Sequence, residues 1–129
     1  MIDHLTLRVR DYDASKAFYL KALAPLGYTL IMEFDIPGVG KFCGLGEGKK
    51  PDFWLASHSD KHPAPTGQHL AFAAKKRPDV DAFHQAALAA GAKDDGQPGP
   101  RADYHPHYYG AFVVDLNGMH IEACAHHPE

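Results

Sequence analysis

Apolar and polar residues alternate near the beginning of the chain, in the segment DHLTLRV at residues 3 to 9. This alternation predicts a β-strand with one buried face, because successive side chains of a strand point to opposite faces. The following segment, RDYDASKAFYLKALAPLGY, spaces its apolar residues at helical intervals. We expect Asp13 to cap this helix, and Pro25 and Gly27 to end it.

The same pattern of strand and helix returns 65 residues later in the chain. HLAFAA predicts a strand, and RPDVDAFHQAALAAGAK predicts a helix that a glycine ends. In this alignment Phe83 corresponds to Phe18, and His69 corresponds to His4. Each of the two histidines is followed by a leucine, so the chain reads as an internal duplication.

Strand-like runs follow each predicted helix. They are YTLIMEF, GKFCGL and DFWLAS in the first half, and YYGAFVV and MHIEAC in the second half. The last two are separated by DLNG, whose residues are typical of a hairpin turn. One half could not bury its sheet alone. The sequence therefore predicts a single α+β domain of two tandem βαβββ modules, residues 1–56 and 68–129, with residues 57–67 as the linker.

Composition and charge argue against two classes of partner. The 129-residue chain is 45% hydrophobic and 22% charged, and its formal net charge is −3. Its basic runs are short, which disfavours nucleic-acid binding, and its apolar stretches are too short to span a membrane. Asp3 and His4 interrupt any signal peptide, and Cys43 and Cys124 are isolated. We therefore expect a cytoplasmic protein whose partner is a small molecule.

The duplication places metal-competent residues at equivalent positions. Alignment of the last strands of the two halves sets Trp54 opposite Glu122, while His4 and His69 occupy the first strands. A buried carboxylate needs a compensating charge, and a divalent metal ion would supply it. Two histidines and one carboxylate suit Fe(II) and tolerate other divalent ions, with positions left open for a substrate. The alternative is that both histidines only form hydrogen bonds at strand edges.

Three segments resemble the vicinal oxygen chelate superfamily, also called the glyoxalase/bleomycin-resistance/dioxygenase family. They are DHLTLRV, GQHLAF and FVVDLNGMHIEA. The last resembles the family's DPDG-x-x-IE hairpin, with Leu116 and Asn117 in place of proline and aspartate. The resemblance covers essentially the whole chain. It implies paired βαβββ modules that form a cupped mixed sheet around a metal site, and a homodimer.

The resemblance also separates two metal-dependent activities. In glyoxalase I relatives four ligands are expected, and here they would fall on His4, residue 54, His69 and Glu122. Trp54 does not ligate metals, so isomerisation of a glutathione hemithioacetal is disfavoured. Extradiol dioxygenases of the superfamily use three ligands, which match His4, His69 and Glu122.

The dioxygenase resemblance extends to an acid/base pair before the last hairpin. His105 has the spacing of the histidine in this signature, whereas Phe112 stands where a tyrosine is usual. Tyr108 and Tyr109 are the candidates to replace that tyrosine, and we assign the catalytic roles to His105 and Tyr109. The alternative is that both tyrosines are structural. We expect Phe53, Trp54, Tyr108 and Phe112 to line the substrate pocket.

Two hypotheses follow for function. The first is a small metal-dependent enzyme of lyase or dioxygenase type, which binds Fe(II), Mn, Ni or Zn and a substrate with vicinal oxygens. The second is a metal-free protein that sequesters a small apolar or aromatic ligand, as bleomycin-resistance relatives do. The substrate, the metal and the pairing of modules within or between chains stay open. His84 is expected mid-helix on a partly exposed face, outside the site.

Overall fold

Both halves of the chain have the predicted order βαβββ. The computed structural model describes residues 1–128, so Glu129, at the end of the second predicted module, lies outside the described residues. The first half contains β1 (Leu5–Val9), α1 (Tyr12–Ala22), a short 3₁₀ helix (Ala24–Leu26), β2 (Thr29–Ile36), β3 (Gly40–Gly46) and β4 (Phe53–Ser57). The second half contains β5 (His69–Ala73), α2 (Arg77–Ala89), β6 (Lys93–Pro100), β7 (Tyr109–Val114) and β8 (His120–Ala125).

The strands form two four-stranded mixed sheets, with the orders β1-β4-β3-β2 and β5-β8-β7-β6. In each sheet the first and last strands of the half are parallel, and the other pairs are antiparallel. Thr6 is paired with Trp54, and Ala71 is paired with Glu122. Trp54 and Glu122 therefore occupy equivalent positions in the two sheets. The predicted fold of two tandem βαβββ modules is confirmed.

The core lies between the helices and one face of each sheet. Tyr19 of α1 contacts Phe53 of β4 edge to face, and Phe53 contacts Phe72 of β5 in the same way, each with ring centroids 5.1 Å apart. The DLNG turn is attached to α1, because the Asn117 side-chain amide donates a hydrogen bond to the Ser15 hydroxyl at 3.1 Å. We call the sheet face opposite the helices the open face. Among residues 1–128, no helix has the length and apolar character that a bilayer crossing requires.

The start of α1 differs from the prediction by two residues. Asp11, not Asp13, is the N-cap: its backbone is extended, and its side chain accepts a hydrogen bond from the amide of Ala14 at 3.0 Å. Asp13 lies in the first turn, where its negative charge is still favourable near the helix N-terminus. The prediction of Asp13 as the cap is therefore wrong.

The sequence did not predict β6, whose segment KDDGQPGP lacks apolar alternation. This strand is at the sheet edge, where proline is tolerated, and its register with β7 shifts twice. The neighbouring His84 was expected to be partly exposed, but it is 4% exposed. It is buried because its face of α2 packs against β6, where His84 Nε2 lies 2.9 Å from Asp94 Oδ1.

Candidate functional site

A buried carboxylate is the centre of the open face of the second sheet. Glu122 is 2% exposed, and strand alternation directs it away from the core residues Ile121 and Ala123. Its Oε1 lies 2.9 Å from Nε2 of His69, at the start of β5. Its Oε2 accepts a hydrogen bond from the Tyr108 hydroxyl. Both oxygens of the buried carboxylate are therefore satisfied.

Tyr108 is held beside this carboxylate by other aromatic rings. Its ring makes edge contacts with Tyr104 at 4.9 Å, and with His105 and His126 at 5.1 Å each, measured between centroids. Burial, and then the hydrogen bond to Glu122, raise the pKa of Tyr108 well above its ordinary value. Tyr108 therefore stays protonated and acts as a hydrogen-bond donor to the carboxylate.

The predicted catalytic histidine, His105, lies behind Tyr108. Its Nδ1 accepts a hydrogen bond from the His107 amide at 3.2 Å, so a neutral His105 carries its proton on Nε2. That nitrogen lies 2.8 Å from Nδ1 of His126, to which it can donate. His105 contacts the ring of Tyr108 and is separated by that ring from Glu122.

The other predicted catalytic residue, Tyr109, lies on the opposite face of β7. Its hydroxyl donates to Asp81 at 2.6 Å, and the Arg77 guanidinium lies 5.0 Å from its ring centroid. Both partners belong to α2. Strand alternation could have identified Tyr108 as the neighbour of the carboxylate, because Phe112 is paired with Glu122 and residues 108 and 112 share a face.

His4, the third predicted metal ligand, is apart from the other two within one chain. Its Nδ1 lies 2.7 Å from Asp3 Oδ1, and its side chain is 55% exposed. In the described part of the chain, no group of three His, Cys, Asp or Glu side chains is arranged to hold a metal ion. One chain thus brings together two of the three predicted ligands, His69 and Glu122.

Phe53, Trp54 and Phe112, which were predicted to line one pocket, lie in three different surroundings. Phe112 lies on the open face, with its ring centroid 6.2 Å from that of His69. Trp54 is stacked on Phe34 at 6.1 Å with an interplanar angle of 8°. Phe53 is 2% exposed and belongs to the core.

An apolar groove of about 560 Å³ separates the edges of β1 and β5. Both strands pair on one side only in their sheets. The core residues Phe53 and Phe72 contribute to its lining, and His69 lies along it. A small ligand in this groove would therefore lie next to His69.

Known proteins share this sequence pattern and fold. A sequence model of the Glyoxalase/Bleomycin resistance protein/Dioxygenase superfamily matches residues 1–122. A glyoxalase/bleomycin resistance protein from Albidiferax ferrireducens T118 is 27% identical over 95% of this chain and 96% of that chain, with a TM-score of 0.76. A glyoxalase/bleomycin resistance protein/dioxygenase family enzyme from Burkholderia phytofirmans PsJN shares the fold at 20% identity, with 98% of both chains covered and a TM-score of 0.70.

A glyoxalase I variant from Zea mays is 25% identical to this chain, with a TM-score of 0.72. The similarity covers 95% of this chain but only 46% of the maize chain. This chain thus spans about half of the maize enzyme. A search of curated proteins finds no match.

Proposed function

Because the chain belongs to the glyoxalase/bleomycin resistance protein/dioxygenase superfamily, we propose that it is a small metal-dependent enzyme. Its substrate is a small molecule with vicinal oxygens, and its reaction is of lyase or dioxygenase type. The observation that carries this proposal is the His69–Glu122 pair on the open face of the second sheet. Similarity to a glyoxalase I variant from Zea mays supports an enzymatic role.

The geometry of the pair fits two ligands of one divalent ion. Ligands about 2.0 to 2.2 Å from an ion, and about at right angles to each other, lie roughly 3 Å apart. His69 Nε2 and Glu122 Oε1 are 2.9 Å apart. The imidazole and carboxylate suit Fe, Mn, Ni or Zn. A bound ion would act as a Lewis acid toward neighbouring oxygens of a substrate.

His4 is the proposed third ligand, and we propose that it comes from a second copy of the chain. Two features support this assembly. His4 immediately precedes β1 as His69 begins the equivalent strand β5, so its side chain belongs to the equivalent position of the other module. In addition, Met32, Phe34 and Ile36 of β2 are each 44% exposed, an apolar row that a homodimer would cover.

The remaining residues of the site have supporting roles in this proposal. Tyr108 donates to Oε2 of Glu122 and so leaves Oε1 directed toward His69. Phe112 forms a wall beside His69, and Trp54 with Phe34 would exclude water from the facing module. His105 would hold the Tyr108 ring in place by packing against it, while its two ring nitrogens contact His107 and His126.

The second candidate function is metal-free binding of a small apolar or aromatic molecule. The apolar groove between β1 and β5 favours it, as does Trp54 at the position equivalent to Glu122. In this case the Glu122 carboxylate would be balanced only by His69 and Tyr108.

Metal analysis distinguishes the two functions. Protein without a histidine tag is incubated anaerobically with Fe(II), Mn, Ni or Zn, desalted, and measured by plasma mass spectrometry. We expect about one ion per chain for the wild type and for His62→Ala, which changes an exposed linker histidine. Glu122→Gln and His69→Ala should lose the ion while keeping their circular dichroism. Equal metal content in Glu122→Gln and the wild type, or none in the wild type with any of the four ions, would favour the binding protein.

A further inference from the structure

A fixed positive charge lies on the same open face as the His69–Glu122 pair. The Cζ atom of Arg101 is 5.3 Å from the ring centroid of Phe112, and the same ring contacts His69. The Phe112 ring thus separates the guanidinium from the proposed metal ligands. A guanidinium over an aromatic face is attracted by the ring electrons and stays partly exposed.

Backbone carbonyls fix the orientation of the guanidinium. Nη1 donates to the carbonyls of Gly99 at 3.0 Å and Pro100 at 3.3 Å, and Nη2 donates to the carbonyl of Gln97 at 2.7 Å. Arginine has five N–H donors. The Nε–H and one N–H of Nη2 therefore remain for a ligand, and their geometry suits the two oxygens of a carboxylate.

Gly96 provides the space for this arrangement. Its φ is +157°, and a Cβ atom there would lie 2.8 Å from Cδ1 of Phe112 and 3.4 Å from Nη2 of Arg101. A side chain at position 96 would therefore displace the Phe112 ring or the guanidinium. The absence of a side chain at Gly96 therefore leaves room for Arg101 to lie over the Phe112 ring.

Within the part of the chain that the structure describes, the charge of Arg101 has no acidic partner. Within residues 1–128, no Asp or Glu oxygen lies within ion-pair distance of its guanidinium, whereas the exposed pair Lys16–Glu33 is joined at 2.7 Å. Neutral carbonyls orient a cation but leave its charge uncompensated. An anionic ligand would compensate it.

We propose that Arg101 binds a carboxylate of the substrate and so selects anionic over neutral compounds. This inference rests on the proposed function, which places the vicinal oxygens of the substrate at His69 and Glu122. The substrate class is then a small carboxylate whose two neighbouring oxygens are separated from the acid group by about the width of one ring. The residue determines specificity and takes no part in the bond changes.

Two probes of nearly equal shape test this selection. Binding of 3,4-dihydroxybenzoate and of its neutral amide, 3,4-dihydroxybenzamide, is measured by titration calorimetry. We expect the wild type to prefer the acid by about tenfold to a hundredfold, the value of a charge-assisted contact. Arg101→Gln should remove the preference while affinity for the amide stays within about twofold. Arg77→Gln is the matched control and should keep the preference, because Arg77 likewise lies over an aromatic ring, that of Tyr109, but on the helix side.

A second variant and a second condition distinguish a failure of the Arg101 proposal from a failure of the metal-enzyme proposal. Arg101→Lys retains the charge without the planar fork and should show an intermediate preference. The titrations are repeated with metal-loaded and chelator-treated protein. Loss of the acid preference in Arg101→Gln without any metal uptake would support the role of Arg101 and refute the metal enzyme. A preference that survives in Arg101→Gln, or a wild type that does not distinguish the probes, would overturn the inference even if metal binds.

Discussion

Glu122 is held from two sides, by the imidazole of His69 and by the hydroxyl of Tyr108. The duplication predicted the first contact, because parallel pairing of β5 with β8 places these two residues on one face. The second contact was not predicted, because Tyr108 was expected only to line the substrate pocket and Tyr109 to have the catalytic role. Phe112 occupies the signature position of the tyrosine, and the register of β7 against β8 shows that Tyr108, on the same face as Phe112, is the tyrosine that faces the carboxylate.

The two tyrosines are expected to differ in their contribution to stability. Tyr108→Phe leaves Oε2 of a buried carboxylate without its donor, so it should lower the free energy of unfolding by about 2 kcal/mol. Tyr109→Phe removes a hydrogen bond to the exposed Asp81 and should cost less than about 1 kcal/mol. Urea denaturation monitored by circular dichroism measures both. Equal losses, or a larger loss in Tyr109→Phe, would refute the assignment.

Among the helices and strands, those with regular apolar periodicity could be predicted from the sequence. β6 was missed because its segment lacks that periodicity. The apolar spacing of α1, α2 and the core strands reflects burial against one face, and the order of residues alone reveals it. The segment of β6 carries two aspartates, two glycines and two prolines, and its strand geometry depends on pairing with β7. The burial of His84 could not be predicted for the same reason, since β6 is the element that covers it.

The contact between α2 and β6 is expected to depend on pH. The hydrogen bond from His84, followed by those from the Gly96 amide and Gln97, holds the pKa of Asp94 below its ordinary value. A carboxylate with a lowered folded-state pKa adds stability above its unfolded pKa, about 4, and loses it as the pH falls through the lower folded value. Thermal midpoints of the wild type and Asp94→Asn should therefore differ at pH 6 and converge toward pH 3.

Asp103→Asn is the control for this experiment, because it removes an exposed carboxylate from the loop between β6 and β7. Its midpoint should follow that of the wild type across the same pH range. A difference between the wild type and Asp94→Asn that stays constant or widens on acidification would show that Asp94 does not act through its charge.

At the scale of the whole molecule, the two sheets of one chain bring together only part of the predicted site. The sequence identified the equivalent positions of His4 and His69, but the assembly decides whether they meet. An apolar row on β2, formed by Met32, Phe34 and Ile36, remains exposed on the single chain. Such a row on a small protein commonly marks an interaction surface.

We expect this apolar row to be buried in a homodimer. Light scattering of the wild type should give twice the chain mass of 14.1 kDa. Phe34→Asp should shift the mass toward that of one chain, because an interface that buries a charge in apolar surroundings is strongly weakened. Leu116→Asp alters an equally exposed apolar residue in the DLNG turn and should remain dimeric. A single-chain mass for the wild type at all concentrations would exclude the shared site.

The position of the divalent ion that we propose between His69 and Glu122 can be measured directly. Crystals of the protein loaded with Ni or Fe would be used to collect anomalous diffraction at the absorption edge of the metal. We expect a peak about 2.0 to 2.2 Å from His69 Nε2 and Glu122 Oε1, with His4 of a second copy as the third ligand. A map with no peak between these two side chains, or with its peak at the His105–His126 pair instead, would contradict this proposal.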